Sequence, residues 1–301
     1  MNEWLPKSAV SRRWLGLTPA YIMIGIFMLV PISIMAVYSF LEPNPYGGVL
    51  PEPSVAAYVK LFFEYDLEDN LVFNPGYMNI IFRSFQLSIM ATLICLVLGF
   101  PVAYYITLQP EHKRNIYIYL ITIPFWTNLL IRTFAWIIIL GRGGVIETPL
   151  LNLGIIEDSL KMMYTDGAIA IGLTYSYLPL MVLPIYASLE KLDFRLLEAA
   201  SDLYSSRFEI MTKVVIPLCK PGIVAGCILV FIPCIGAFIA PNLLGGGKKL
   251  MLGSLVQFQF ASARNWPFGS ALSMLLLSAV VVALIFYARS VKKKEYTQGT
   301  A

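Results

Sequence analysis

Six runs of the chain, residues 15–40, 80–108, 116–140, 168–189, 223–244 and 271–287, stay apolar for roughly the 20 residues a helix needs to cross a bilayer's hydrocarbon core. Such runs leave few folds open, because backbone N–H and C=O groups in hydrocarbon must pair within the protein and a helix does this inside one segment. The expected fold is an all-α membrane protein with six transmembrane helices in a single domain over 1–301. Composition agrees. Of 301 residues, 58% are hydrophobic and 13% charged, with a mean hydropathy of +0.72, against about a quarter charged in soluble domains.

The first run follows Lys7, Arg12 and Arg13 and is too long for a cleavable signal peptide. It reads as an uncleaved helix with its N-terminus in the cytoplasm, ended by the Pro-rich stretch 42–53. Six spans then place both termini and the loop 190–222 inside. Fourteen Lys and Arg fall on that side, including Lys113, Arg114 and Lys292 to Lys294, against seven outside: Lys60, Arg83, Arg142, Lys161, Lys248, Lys249 and Arg264. The excess of bases inside supports this orientation, with Lys248 and Lys249 a local exception. The outer segments carry ten acids, Glu42, Glu52, Glu64, Asp66, Glu68, Asp69, Glu147, Glu157, Asp158 and Asp166. Such a face concentrates cations; it also satisfies the plain need of exposed loops for charge. The short apolar segment 250–260, between Gly245-Gly246-Gly247 and Trp266-Pro267, suits a re-entrant or interfacial helix.

Several chemistries are excluded. Cys95, Cys219, Cys227 and Cys234 lack metal-ligand spacing, and the single histidine, His112, lies in a charged turn. Gly245-Gly246-Gly247-Lys248 is no phosphate loop, because the first glycine of GxxxxGK[ST] is replaced by Asn242 and Lys249 follows the lysine. No nucleotide site and no cofactor are expected in this chain. The spans hold no Asp, Glu or His apart from Glu190 at a boundary, which argues against an intramembrane enzyme or a proton-coupled carrier.

The loop 190–222 gathers five acids and five bases, a balance that excludes nucleic acid as a partner. Asp193 can cap a helix from Phe194 to about Leu203, with Leu196, Leu197, Ala200 and Leu203 at helical spacing. Ser206-Arg207-Phe208-Glu209 is a capping box opening a second helix, with Phe208, Met211 and Val215 on one face. Two helices too short to bury these faces on each other would lie on the membrane surface or in a partner's groove. Matched charges favour the groove.

Glu198-Ala199-Ala200, followed by Ile216-Pro217-Leu218 and Pro221-Gly222, resembles the EAA motif of inner-membrane permease subunits of ABC importers. The resemblance implies a type I importer permease fold (MetI-like) in the bacterial inner membrane. It also implies a docking segment for a separate ATPase over 198–217, including Glu198, Ala199, Ala200, Tyr204, Arg207, Phe208 and Pro217. The partners so implied are an ATPase dimer that binds ATP, a second permease subunit and an extracytoplasmic substrate-binding protein. Where the family usually carries glycine, this chain has Tyr204. A positive φ there would be the standard turn under strain of about 1 kcal/mol; a negative φ would be a different geometry.

Pro124-Phe125-Trp126-Thr127-Asn128, Leu183-Pro184-Ile185-Tyr186 and Asn265-Trp266-Pro267-Phe268-Gly269 are similar to permeases of spermidine/putrescine importers; those for ferric iron, sulfate or molybdate share weaker versions. A straight third span would put Trp126 and Asn128 near the bilayer centre, about 15–18 Å from Ile116. For a polyamine, Trp126 would offer a cation–π face and Asn128 a carbonyl. The same pair would equally serve helix packing. Tyr175 and Tyr177 of the fourth span are further pathway candidates, for which packing is the simpler reading. Arg132 is expected to snorkel to the outer interface in a structural role.

Overall fold

The computed structural model describes residues 7–65, 70–156, 158, 160–193 and 195–298. Asp66, Glu68, Asp69 and Glu157 of the expected acidic face, and Phe194 at the expected helix start, lie outside the described residues. The chain divides into two compact units, 1–74 with 256–301, and 75–255.

The first unit opens with α1 (Lys7–Tyr38). The Pro-rich stretch then forms an antiparallel hairpin of β1 (Leu41–Pro43) and β2 (Val49–Pro53), with Pro43 opposite Val49. After α2 (Ala56–Val59), a second hairpin pairs β3 (Phe63–Tyr65) with β4 (Leu71–Phe73). Its Phe63 and Phe73 rings meet edge to face at 6.1 Å.

The second unit contains α3 (Gly76–Thr107), α4 (Glu111–Trp126), α5 (Leu129–Leu140), α6 (Glu147–Asn152) and α7 (Asp166–Leu189). Then come α8 (Arg195–Asp202), α9 (Arg207–Glu209), a π-helical turn (Ile210–Val215), α10 (Ile216–Leu218), α11 (Lys220–Ile235) and α12 (Ile239–Leu244). Helix α13 (Leu252–Ala261) leads back to the first unit, where α14 (Trp266–Gln298) packs along α1. Asn265 caps α14 by accepting the Phe268 N–H at 3.1 Å.

Among the described residues, four helices are long and apolar enough to cross a membrane: α1 from Leu17, α3, α7, and α14 as far as Ile285. Two further candidates are broken pairs, α4 with α5 bent by 90°, and Arg207–Leu218 with α11 bent by 69°. The third expected run, 116–140, is therefore not one straight helix. The fifth, 223–244, also stops, at Ile235, with α12 as a separate short helix.

The core of the second unit is α7 packed on α3 and α11. Small residues allow these backbones to approach, as lipid-embedded helices require in the absence of a hydrophobic drive between them. Met181 of α7 is fully buried; a Cβ added at Gly99 of α3 would sit 3.0 Å from its Cγ, and one at Gly226 of α11 would sit 2.8 Å from its Sδ. Outward charges are partly absorbed as well. Lys249 pairs with Asp166 at 3.2 Å, and Arg83 stands 3.8 Å from the same carboxylate, which accounts for a base on the acidic side. Glu147, expected among solvated acids, is buried at 4% exposure, with its carboxylate accepting the Gly143 N–H at 3.0 Å. A loop turning back on its own helix start needs that acceptor more than it needs a surface charge.

Candidate functional site

The loop 190–222 is built from local rules. Asp193 Oδ1 accepts the Arg195 N–H at 3.0 Å, and Glu198 lies in the first turn of α8, where the helix dipole favours an acid. The helix ends with Ser205 N–H on Ala200 O at 3.2 Å and Tyr204 N–H on Ser201 O at 3.0 Å. These bonds satisfy the last carbonyls by the usual left-handed stop. Tyr204 takes that position at φ 59°, so the standard turn is present and a β-carbon is held where glycine costs nothing.

The capping box follows. Ser206 Oγ accepts the Glu209 N–H at 3.3 Å, and Glu209 Oε2 accepts the Ser206 N–H at 3.1 Å. Lys213 reaches Glu209 at 2.9 Å. That ammonium first, and the Ser206 N–H and hydroxyl next, lower the Glu209 carboxyl from 4.5 to about 2.

The two apolar faces do not remain intact as expected. Val215 is buried, and Leu197 and Met211 pack against the core, because this end of the second helix feeds directly into α11 on α7. What stays exposed is a tip of Leu203, Tyr204 and Phe208, at 80%, 97% and 77% exposure, with Leu196 beside it. Glu198, Ala199, Arg207 and Pro217 are exposed too, while Ala200 is half-buried.

In the sequence Pro221-Gly222 stands only as part of the resemblance to the EAA motif, with no packing role. In the structure a Cβ at Gly222 would lie 2.2 Å from Ser188 Oγ and 2.5 Å from Pro184 O. Glycine is required for α11 to seat against the last turns of α7. A glycine one residue beyond a proline at a helix start was the available signal; its long-range partner was not.

The second group of candidates surrounds the break between α4 and α5. Thr127 is extended, its hydroxyl donates to Pro124 O at 2.7 Å, and Asn128 Oδ1 accepts the Leu130 N–H at 2.8 Å as the N-cap of α5. Asn128 thus uses its carbonyl on the backbone, and an Asn before an apolar run is itself a legible helix start. Trp126 stands apart at 86% exposure. Tyr175 packs edge to face on Trp136 of α5 at 5.6 Å. Tyr177 lines a cleft of about 110 Å³ with Leu129, Ser176, Pro233, Gly236 and Phe238. The tyrosines therefore meet α5, and Trp126 does not join them. Arg132 does not reach away as expected, because the bend brings Phe125 within 5.9 Å of its guanidinium. Its Nε and Nη1 are buried and lack hydrogen-bond partners among the described residues.

Known proteins are similar to this chain in sequence and in fold. The family described as "Binding-protein-dependent transport system inner membrane component" matches residues 99–295. The spermidine/putrescine transport system permease protein PotB of Escherichia coli is 41% identical over 235 residues, covering 78% of this chain and 85% of that protein. The protein of the same name from Haemophilus influenzae is 37% identical over 266 residues, covering 88% and 89%. Among solved structures, a chain of a bacterial ABC transporter involved in the import of the acidic polysaccharide alginate matches with a TM-score of 0.75 at 14% identity, covering 95% of this chain and 98% of that one. A chain of the MetNI methionine ABC transporter, inward facing, matches with a TM-score of 0.52 at 16% identity, covering 71% and 94%.

Proposed function

The chain belongs to the family of binding-protein-dependent transport system inner membrane components, and on that premise we propose that it is half of the pore of an ATP-driven polyamine importer. It is a multi-pass inner-membrane transport permease with the type I importer fold, not an enzyme. Relatives at 37–42% identity named for spermidine and putrescine support the solute.

The observation that carries the mechanism is the exposed Leu203, Tyr204 and Phe208 tip on a doubly capped loop. Large apolar side chains held in water on a rigid turn form an anchor for a groove in another protein. That groove belongs to the ATPase subunit, one of a dimer that binds ATP. A second permease chain completes the pore, and an extracytoplasmic binding protein delivers the solute to the outer face. Both termini and the loop lie in the cytoplasm, following the excess of Lys and Arg there. ATP-driven closure of the ATPase pair moves the docked segment 198–217, and the pore opens outward. Along the path, the free face of Trp126 offers a cation–π surface for protonated amines, and Tyr175, Tyr177 and Asn128 border the same bend.

The test is uptake by the reconstituted importer in proteoliposomes. Labelled spermidine uptake should require ATP and the ATPase, resist excess sulfate or ferric iron, and fall severalfold in Trp126→Ala with the ATPase still bound. Equal competition by sulfate or iron would overturn the solute assignment.

A further inference from the structure

A cleft of about 470 Å³ opens beyond the end of α5. Helix α5 lines it with Ile137 and Leu140, and the segment leading into α7 lines it with Leu160, Met163 and Tyr164. Its charged residues are Arg142 and Lys161, both exposed. The side formed by Tyr164 is held in place. That residue takes a left-handed backbone at φ 62°, its N–H donates to Leu244 O at 2.9 Å, and its ring fills the space a Cβ at Gly246 would need, 2.4 Å from Cδ1.

The cleft lies where the chain leaves the hydrocarbon. Leu140 ends one apolar helix, and Asp166 begins another that is long enough to cross a bilayer, so their connection runs at the membrane surface. Val145, Leu151, Leu153 and Ile155 of that connection are exposed, and apolar side chains grouped beside the ends of membrane helices mark contact with lipid. Ile131, Phe134 and Ile138 are exposed too, and their helical spacing makes an apolar stripe along α5 toward the cleft.

The two bases have no counter-charge of their own. Among the described residues neither forms an ion pair. The acids of the flanking segments are engaged elsewhere, Glu147 on the Gly143 N–H and Asp166 with Lys249 and Arg83, and Asp158 pairs with neither base. Two uncompensated cations above apolar walls fit a net negative headgroup that carries an apolar tail.

We propose that this cleft binds one anionic phospholipid, with Arg142 and Lys161 on the headgroup phosphate and the acyl chains on Ile137, Leu140 and the exposed stripe of α5. The inference needs only the membrane position of the chain and is independent of the solute.

The test uses the full-length chain purified from membranes with the subunits that accompany it. After delipidation in detergent it is offered phosphatidylglycerol and phosphatidylcholine in competition, and bound lipids are counted by native mass spectrometry. One phosphatidylglycerol should bind saturably, about tenfold more tightly than phosphatidylcholine. Arg142→Gln and Lys161→Gln should each weaken it about fivefold, the scale of one base near an anionic surface, while Arg142→Lys retains most of the binding. Because both side chains are exposed, the thermal midpoints should match the parent's, which separates loss of the lipid from loss of the fold. Equal retention of the two lipids, or phosphatidylglycerol binding that survives the double variant, overturns the proposal. Displacement of the lipid by inorganic phosphate at the same concentration would show that the apolar walls contribute nothing and overturns it as well.

Discussion

The two broken spans end their helices in opposite ways. Between α4 and α5 the 90° bend is made by side chains acting on backbone: Pro124 within the helix, Thr127 hydroxyl on Pro124 O, and Asn128 capping Leu130. Between α10 and α11 the 69° bend at Cys219 has no side-chain cap, and its direction is set by the absence of a side chain at Gly222 facing Ser188 and Pro184. The first kind of bend is local and can be adjusted by a few tenths of a kcal/mol in its cap. The second is a packing constraint, in which any added atom displaces a whole helix. On the function proposed above, the adjustable bend would border the solute path and the fixed one would stand beside the ATPase-docking loop.

The largest effect expected from this difference is at Gly222. Gly222→Val places methyl groups where even a Cβ is 2.2 Å from Ser188 Oγ; overpacking of this kind costs about 1–3 kcal/mol or more. The thermal midpoint of the purified permease should drop by several degrees and ATPase co-purification should fail. Gly222→Val with Ser188→Gly should recover only part, because Pro184 O remains. Next, Asn128→Ala should destabilise by about 1 kcal/mol through loss of the cap, while Asn128→Asp should retain the midpoint. If Asn128→Ala matches the parent in chemical denaturation, the bend is not cap-controlled.

Smaller again is Tyr204→Gly. It relieves a left-handed β-carbon and should raise stability of the isolated permease by up to about 1 kcal/mol. Yet it removes a ring exposed at 97%, so affinity for the ATPase should fall in a pull-down titration. The smallest effect is pH-dependent. The Glu209 carboxyl is lowered by Lys213 and Ser206 from 4.5 to about 2, so the contribution of its box is complete above about pH 4.5 and is lost as pH falls toward 2. Circular dichroism of a Glu209→Gln variant should therefore differ from the parent at pH 6 and converge with it near pH 2.

The contrast also explains which parts of the molecule were legible in the sequence. Asp193 and the capping box at Ser206–Glu209 follow from interactions within five residues, and the structure contains both; the sign of φ at Tyr204, open in the sequence, is positive in the structure. The long runs at α1, α3, α7 and α14 were visible because bilayer thickness acts on every residue of a helix. The bend at Asn128 was hidden for a different reason: hydropathy sums along a run and is blind to direction, so Thr-Asn read as polar residues inside a span, not as a helix end and a new start. Arg132 followed the same error, since a straight helix sends it outward and a bent one returns it to Phe125. Gly222 depends on Ser188 and Pro184, which only the folded chain brings near, whereas Glu147 is held by the Gly143 N–H four residues away, a loop closure that charge counting does not register. Leu197, Met211 and Val215 were correctly read as one-sided, but which side faces a partner and which faces the core depends on how α11 leaves the loop.

Met181, held between Gly99 and Gly226, has a mechanical consequence. A side chain lodged in notches on two neighbouring helices acts as a key in a keyway: α3, α7 and α11 share one axial register, and sliding by a helical turn would drive Met181 against backbone on both sides. The trio can tilt or rotate as a block but cannot shear. Any change of shape within the second unit must then be taken up where no such key exists, in α4, whose face carries no buried residue.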